Sequence, residues 1–464
     1  MKLKKLDFYL ILLTLSLIIF IPFFLSNGGI GGDFMAYVKV ADKLPLFDDN
    51  LFPIGFPLFL KLIKTFTGEY YYSSILLKSI CYLFIICFSY KYKFYFRETV
   101  LAMCFKSVMW IFVYQSSEYI GLPFLYMFLY YSYLLFNDRI NFKKYFITCT
   151  ILGFILCTIR YANVFIFISS LVFIFFIKNN SRKIKLTLFS TIVSIGFFLF
   201  LYLLFNYFTI GSFASENNRI NDETDSFWLD TYIDFIGLIN LSNPFFYLKT
   251  FDYSSKIKLI VSIILISIDI IFWYFSIRIL KNNKNIFVKF LVVVAILNGI
   301  ITFFSAMAQG IEPLGIRLLF NSSYFFCFAL LISIRENNFI SDKCLYVICF
   351  ISLLYNACFI VKIPTNFIFY KNAVEHLVKN KKELPVYYYD DEKKIVPTEY
   401  QIPFTNKSFN YIHENKQPDY IYKSILRLNN PSIEFLDKKP TENTQLIIYS
   451  SEINHFIENK KSAN

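Results

Sequence analysis

The chain has 464 residues, 56% of them hydrophobic and 17% charged, with a formal net charge of +13. A soluble domain is poorer in apolar residues and richer in charge, and the apolar residues here form long blocks separated by short basic loops, which argues against a soluble helical protein. Lysines and arginines placed between apolar blocks follow the positive-inside rule, and no zinc-finger or other nucleic-acid signature accompanies them, so the basic balance does not point to nucleic acid.

Blocks of roughly 18 residues or more are long enough to cross hydrocarbon as helices. In chain order, about eleven spans fit: 8–26, 72–90, 100–115, 120–136, 146–160, 162–177, 184–208, 258–279, 288–306, 318–334 and 344–361. The first block follows Lys2, Lys4 and Lys5 like a signal peptide. It is long and lacks a small-residue cleavage site, so it reads as a retained helix. The remaining short basic loops are Lys91, Lys93 and Arg97; Arg139, Lys143 and Lys144; Lys178, Arg182, Lys183 and Lys185; Lys281 and Lys284; and Arg335 and Lys343. All fall on the face of the N-terminus, and charge bias makes that face cytoplasmic. This requires 146–177 to double back near Arg160, because an unbroken helix would put Lys144 and Lys178 on opposite sides. Loops 27–71 and 209–256 and the tail 362–464 then lie outside, and 1–361 forms the membrane domain.

Polar residues at the outer level come next. Asp33 follows four glycines in GGIGGDFMAY, residues that permit tight turns and close approach. It could orient or deprotonate a hydroxyl nucleophile, or simply cap a helix. Pro53 and Pro57 precede a short apolar stretch, 51–63, that reads as interfacial. Glu118 in YQSSEYIG has the same two readings, site carboxylate or helix cap. Arg160, between two apolar halves, needs an anion, a carboxylate or water, with snorkelling as the competing account. Arg317 in EPLGIRLLF stands at the same level. Arginines and carboxylates converging on one side suit a phosphate-bearing lipid, with arginines reading phosphate oxygens. Within the spans, Asp269 could pair with a lysine or polar group of a neighbouring span, or form part of a proton path that would suit a transporter; Lys106 and Asn298 are weaker features.

In the tail, 384–389 and 445–449 read as strands and 367–378 and 409–415 as helices, making a small α/β module or a lid on the membrane. All nine cysteines fall in apolar segments, against a disulfide scaffold or metal knuckle. The three histidines, His376, His413 and His455, are all in the tail. No Walker loop, dinucleotide fingerprint, HExxH or GxSxG elbow is present, so an enzyme of this form needs a donor already in the membrane.

In order, GGDFMAY, FPIGFPLFLKLI, SSEYIGLPFLYMFLYY, ILGFILCTIRYANV and EPLGIRLLF resemble the GT-C fold glycosyltransferases that use polyprenyl-phosphate sugars, over roughly residues 1–361. These include the protein-mannosyltransferase-like and aminoarabinose-transferase-like enzymes. The resemblance implies an all-α polytopic GT-C-like fold with a variable extracytoplasmic C-terminal region, in a bacterial inner membrane. It implies an inverting transferase that moves one sugar from a polyprenyl-phosphate donor to a lipid, glycan or protein acceptor. Asp33 takes the acceptor-activating role by resemblance, with Glu118 beside it as a catalytic candidate. Arg160 and Arg317, with Tyr37 and Glu312 from the same motifs, are the substrate- and phosphate-binding candidates. No cofactor is specified, and a divalent metal is compatible with the family. Two departures stand out: Phe34 follows Asp33 where relatives carry an acidic pair, and Tyr161 follows Arg160 where proline is common. A lipid-linked glycan polymerase or ligase, and a transporter or flippase, are the competing classes.

Overall fold

The computed structural model describes residues 4–25, 28–30, 32–46, 52–177, 182–213, 234–243, 256–309, 314–315 and 317–360, and in the tail 376, 386–389, 409–412, 435–436, 446–449, 451–452 and 455. Seven helices among them are long and apolar enough to cross a membrane: Lys5–Phe24, Tyr70–Tyr92, Glu118–Phe136, Phe142–Ile159, Arg182–Ile210, Leu259–Lys281 and Ile286–Met307. The chain is a helical, multi-pass membrane protein. Two of these helices expose large apolar side chains around their circumference, among them Phe197, Phe200 and Phe205 on one and Ile263, Ile264 and Tyr274 on the other. A helix apolar all round is stable where the surrounding solvent is itself hydrocarbon.

The expected spans 318–334 and 344–361 are helical as Phe320–Glu336 and Asp342–Ile360, and 162–177 as the shorter apolar segment Tyr161–Phe176. The expected span 100–115 is corrected. It forms two eight-residue helices, Phe96–Met103 and Lys106–Val113, that meet at Cys104 and Phe105. Neither is long enough to cross alone. The apolar stretch read as interfacial becomes the helix Gly55–Thr67, with Pro57 in its first turn, where proline is tolerated. It buries Phe56 and Leu60 and leaves Leu58, Leu62 and Phe66 exposed.

The reversal expected near Arg160 is present. Phe142–Ile159 starts at an Asn141 cap whose side chain accepts from the Lys144 N–H at 2.9 Å. It stops at Arg160, whose backbone is extended. Against Glu118–Phe136, the two flanking segments then run in opposite directions. On one side Leu156 lies by Gly121 and Tyr145 by Ser132; on the other Phe167 packs on Phe128 and Phe173 on Phe136. One partner is therefore antiparallel and the next parallel.

Two compact units are distinguished by their internal contacts. One comprises Met1–Leu15, Cys81–Ile111 and Glu118–Asn356; the other Ser16–Ile80, Phe112–Ser117 and Ala357–Asn464. The first has an aromatic core around Phe94, which meets Tyr126 at 5.3 Å and Phe287 at 5.8 Å between ring centroids. The Tyr126 hydroxyl donates to the Phe94 carbonyl at 2.8 Å, so this aromatic buries its polar tip satisfied.

The same unit gathers the basic loops at one end. Lys4 pairs with Asp342 at 2.9 Å, and Arg97 and Arg335 approach the same carboxylate at 3.6 and 3.8 Å. Arg335 also pairs with Glu98 at 2.5 Å, while Asn283 and Asn285 each donate to Glu336 at 2.9 Å. Asp7, fully buried, accepts from the Tyr346 hydroxyl with Arg97 3.9 Å away. The chain's start and the loops near 97, 284 and 340 thus share one face, as the loop charges require.

In the second unit the tail contributes four short parallel strands, β1 Val386–Tyr389, β2 Phe409–Ile412, β3 Phe435–Leu436 and β4 Leu446–Tyr449, in the order β3-β2-β1-β4. The strand readings at 384–389 and 445–449 match β1 and β4. The helix read over 409–415 is corrected to strand β2. Phe409, Tyr411 and Ile412 are strand-favouring residues, and in-register pairing with β1 decides their conformation. Of the helix read over 367–378, His376 alone is described, and it is helical.

Two outcomes follow. Asp7→Ala removes the acceptor of a buried hydroxyl and the counter-charge of Arg97, so it lowers stability by about 2 kcal/mol in a detergent melt; an unchanged melt would contradict the network. The Lys4 hydrogen bond and the nearby cations hold the Asp342 carboxyl below its usual range. A depressed folded pKa gives stability that is full above the unfolded value of about 3.9 and fades as pH falls through the folded one. For this exposed pair the amount is about 0.5 kcal/mol. The melting difference between wild type and Asp342→Asn is therefore present at neutral pH and fades as pH falls below the unfolded carboxylate value.

Candidate functional site

Glu118 opens its helix, where a carboxylate is favoured by the helix dipole, and its side chain is only 4% exposed. Arg160 stands at the chain reversal, and its guanidinium Nη1 donates to Glu118 Oε1. The same nitrogen donates to the Arg317 backbone carbonyl at 3.4 Å. The structure therefore brings Glu118, Arg160 and the turn at Arg317 together, at the end of the helices opposite the basic network. The arginine expected to need an anion has a carboxylate, and what Arg317 offers it is a peptide oxygen.

Amides that sequence reading passed over complete this arrangement. Asn163 Nδ2 donates to the Leu156 carbonyl at 2.8 Å, beside the Arg160 N–H that the same oxygen accepts, and Asn163 Oδ1 accepts from Asn321 Nδ2 at 2.9 Å. Asn206 Nδ2 donates to the Tyr161 hydroxyl at 3.2 Å. The approach to Arg317 is clamped as well: the Leu314 N–H donates to buried Asp234 at 2.8 Å. A Cβ on Gly237 would come within 2.3 Å of the Leu314 carbonyl, so only glycine admits that contact. Glu312 lies outside the described residues.

Asp269 is buried and accepts from Asn243 Nδ2 at 2.6 Å, and nearby Trp273 Nε1 donates to the Ile239 carbonyl at 2.8 Å. The acid that suggested a proton path thus anchors loop 239–243 to its helix. Asn298 donates to Ser322 Oγ at 2.7 Å, and the Lys106 ammonium lies 5.4 Å from the Tyr355 ring centroid.

The second unit holds the other two candidates. Asp33 is half-buried in the first turn of the helix Gly32–Lys43, inside it rather than capping it. Tyr37, one turn on, is buried, donates to Ser117 Oγ at 3.2 Å and packs against Phe52 and Phe56, each at 4.6 Å between centroids. Before them, Gly28 and Gly29 take positive φ. A Cβ on Gly29 would lie 2.6 Å from the Val113 carbonyl, and the Gln115 N–H donates to the Gly29 carbonyl at 2.7 Å. The close approach anticipated for these glycines is therefore to backbone.

Lys78 was missed. It is fully buried in Tyr70–Tyr92, and its ammonium donates to the Val113 carbonyl at 3.1 Å. Ser74 donates to the Gln115 side-chain carbonyl one turn away. A single lysine in the middle of an apolar span is the signal that could have found it. Among the described residues, no group of three or more His, Cys, Asp or Glu side chains could hold a metal ion.

The Arg160–Glu118 pair is largely buried, so removing one partner strands the other. Glu118→Leu lowers stability by about 3 kcal/mol, whereas Glu118→Leu with Arg160→Met recovers most of that loss. Additive losses in the double variant would show that the charges do not couple.

Comparison with family models, curated proteins and solved structures gives no match.

Proposed function

We propose that the chain is an inverting membrane glycosyltransferase of GT-C type. It moves one sugar from a polyprenyl-phosphate donor to a hydroxyl or similar nucleophile of a lipid, glycan or protein acceptor. The observation that carries this reading is the meeting of Glu118, Arg160 and the Arg317 turn at the end of the helices opposite the basic network. Charge bias assigns the basic end to the cytoplasm, so the site opens outside a bacterial inner membrane, with the N-terminus inside. The tail is then an extracytoplasmic α/β region built on the parallel strands.

In this mechanism Asp33 orients the acceptor hydroxyl and takes its proton. The acceptor oxygen bonds to the anomeric carbon from the face opposite the phosphate, the carbon–phosphate oxygen bond breaks, and polyprenyl phosphate leaves. Arg317 holds that phosphate and stabilises the charge developing on it. Arg160 is already neutralised by Glu118, so the phosphate falls to Arg317 rather than to Arg160. The hydrogen bond from Asn243 to Asp269 suits a loop anchor better than a proton path, which supports the transferase reading over a transporter. A polymerase or ligase differs in its donor, taking two phosphates and a whole repeat unit.

Purified protein in lipid, given a panel of polyprenyl-phosphate sugars and envelope lipids, should yield products heavier by one sugar by mass spectrometry. Asp33→Asn and Arg317→Ala should each lower the rate by about 100-fold or more while keeping the melting temperature. Undiminished transfer by both variants would remove these residues from the site. Transfer of whole repeat units, or transport of an unmodified lipid across vesicles, would replace the reading.

A further inference from the structure

At the basic end of the first unit a groove of about 620 Å³ lies between the first helix and Asp342–Ile360. One wall is the stripe from Leu6 to Leu13, spaced i, i+3, i+4, i+7; the other has the same spacing from Lys343 to Phe350. In a water-soluble bundle two such stripes would interlock. Here they leave a slot roughly 10 Å long. The wall is fixed at Tyr346, whose ring lines the groove while its hydroxyl donates to Asp7.

Lys343 is the only charged side chain in the lining. Asp342 next to it is engaged by Lys4, with Arg97 and Arg335 also close. Lys343 has no ion pair among the described residues. An apolar slot open to the bilayer, closed at its polar end by an uncompensated ammonium, matches a molecule with a hydrocarbon chain and an anionic head.

We propose that the groove seats one acyl chain of an anionic glycerophospholipid, with the headgroup phosphate on Lys343. Bilayer tails are as apolar as the slot, so the chain alone gains little over bulk lipid. Preference comes from the charge, and one lysine at the membrane surface gives about a fivefold preference for an anionic headgroup. This site stands apart from the proposed sugar-transfer site and does not depend on it.

The test is native mass spectrometry of the full chain released from bilayers of equal phosphatidylglycerol and phosphatidylcholine. Wild type should retain phosphatidylglycerol about fivefold over phosphatidylcholine. Lys343→Gln should bring the ratio close to one, while Lys91→Gln, at the same end but outside the groove, leaves it unchanged. Val347→Trp, which fills the slot, should lose one retained lipid with the helical circular dichroism intact. No preference in wild type, the same ratio in Lys343→Gln, or full lipid retention in Val347→Trp would each overturn the proposal. A dimer that Val347→Trp dissociates would also overturn it, by identifying a second copy of the chain as the occupant.

Discussion

A guanidinium between two apolar half-helices needs a counter-charge or water, and Glu118 supplies the counter-charge to Arg160. Much of the first unit is arranged around that pairing. It falls where Phe142–Ile159 ends and the chain turns back, so the reversal places the charge at the end of the helices opposite the basic network. Asn163 adds a second hydrogen bond to the Leu156 carbonyl, which already accepts the Arg160 N–H, and Asn163 in turn holds Asn321. Arg160 also reaches the Arg317 carbonyl. One ion pair thus joins the starts of two helices to the end of a third.

The opposite end uses charge differently. Asp342 is shared among several cations, and Glu98 sits against Arg335 with its pKa raised by burial, an effect the arginine partly opposes. These groups lie at the end of the bundle, where water can share the cost of the charges, and they draw the basic loops onto one face. The result is a molecule with two ionic levels separated by apolar helices.

What the sequence made legible follows from cost. Arg160 and Glu118 stood out because charges beside hydrocarbon are expensive, and for the same reason the fold at Arg160 was readable from loop charges alone. The break at Cys104 and Phe105 was not readable. An apolar run looks the same whether it forms one helix or two, and what divides it is packing. Lys78 was visible as a lysine within an apolar span, but its partner was not, because the Val113 carbonyl is a backbone group with no sequence signature. Strand β2 was misread because Phe409–Ile412 gains its conformation from pairing with Val386–Tyr389. Asp33, read as a site carboxylate or a helix cap, lies in the first turn of its helix beside constrained glycines, and its chemistry rests on the family resemblance.

The central claim is that a lipid phosphate is held by Arg317 beside the Arg160–Glu118 pair, at the end of the helices opposite the basic network. The most direct measurement is an experimental structure of the protein in lipid with polyprenyl phosphate bound. The account predicts the phosphate within hydrogen-bond distance of the Arg317 guanidinium. A phosphate seated elsewhere, with Arg317 turned away from it, would contradict the account.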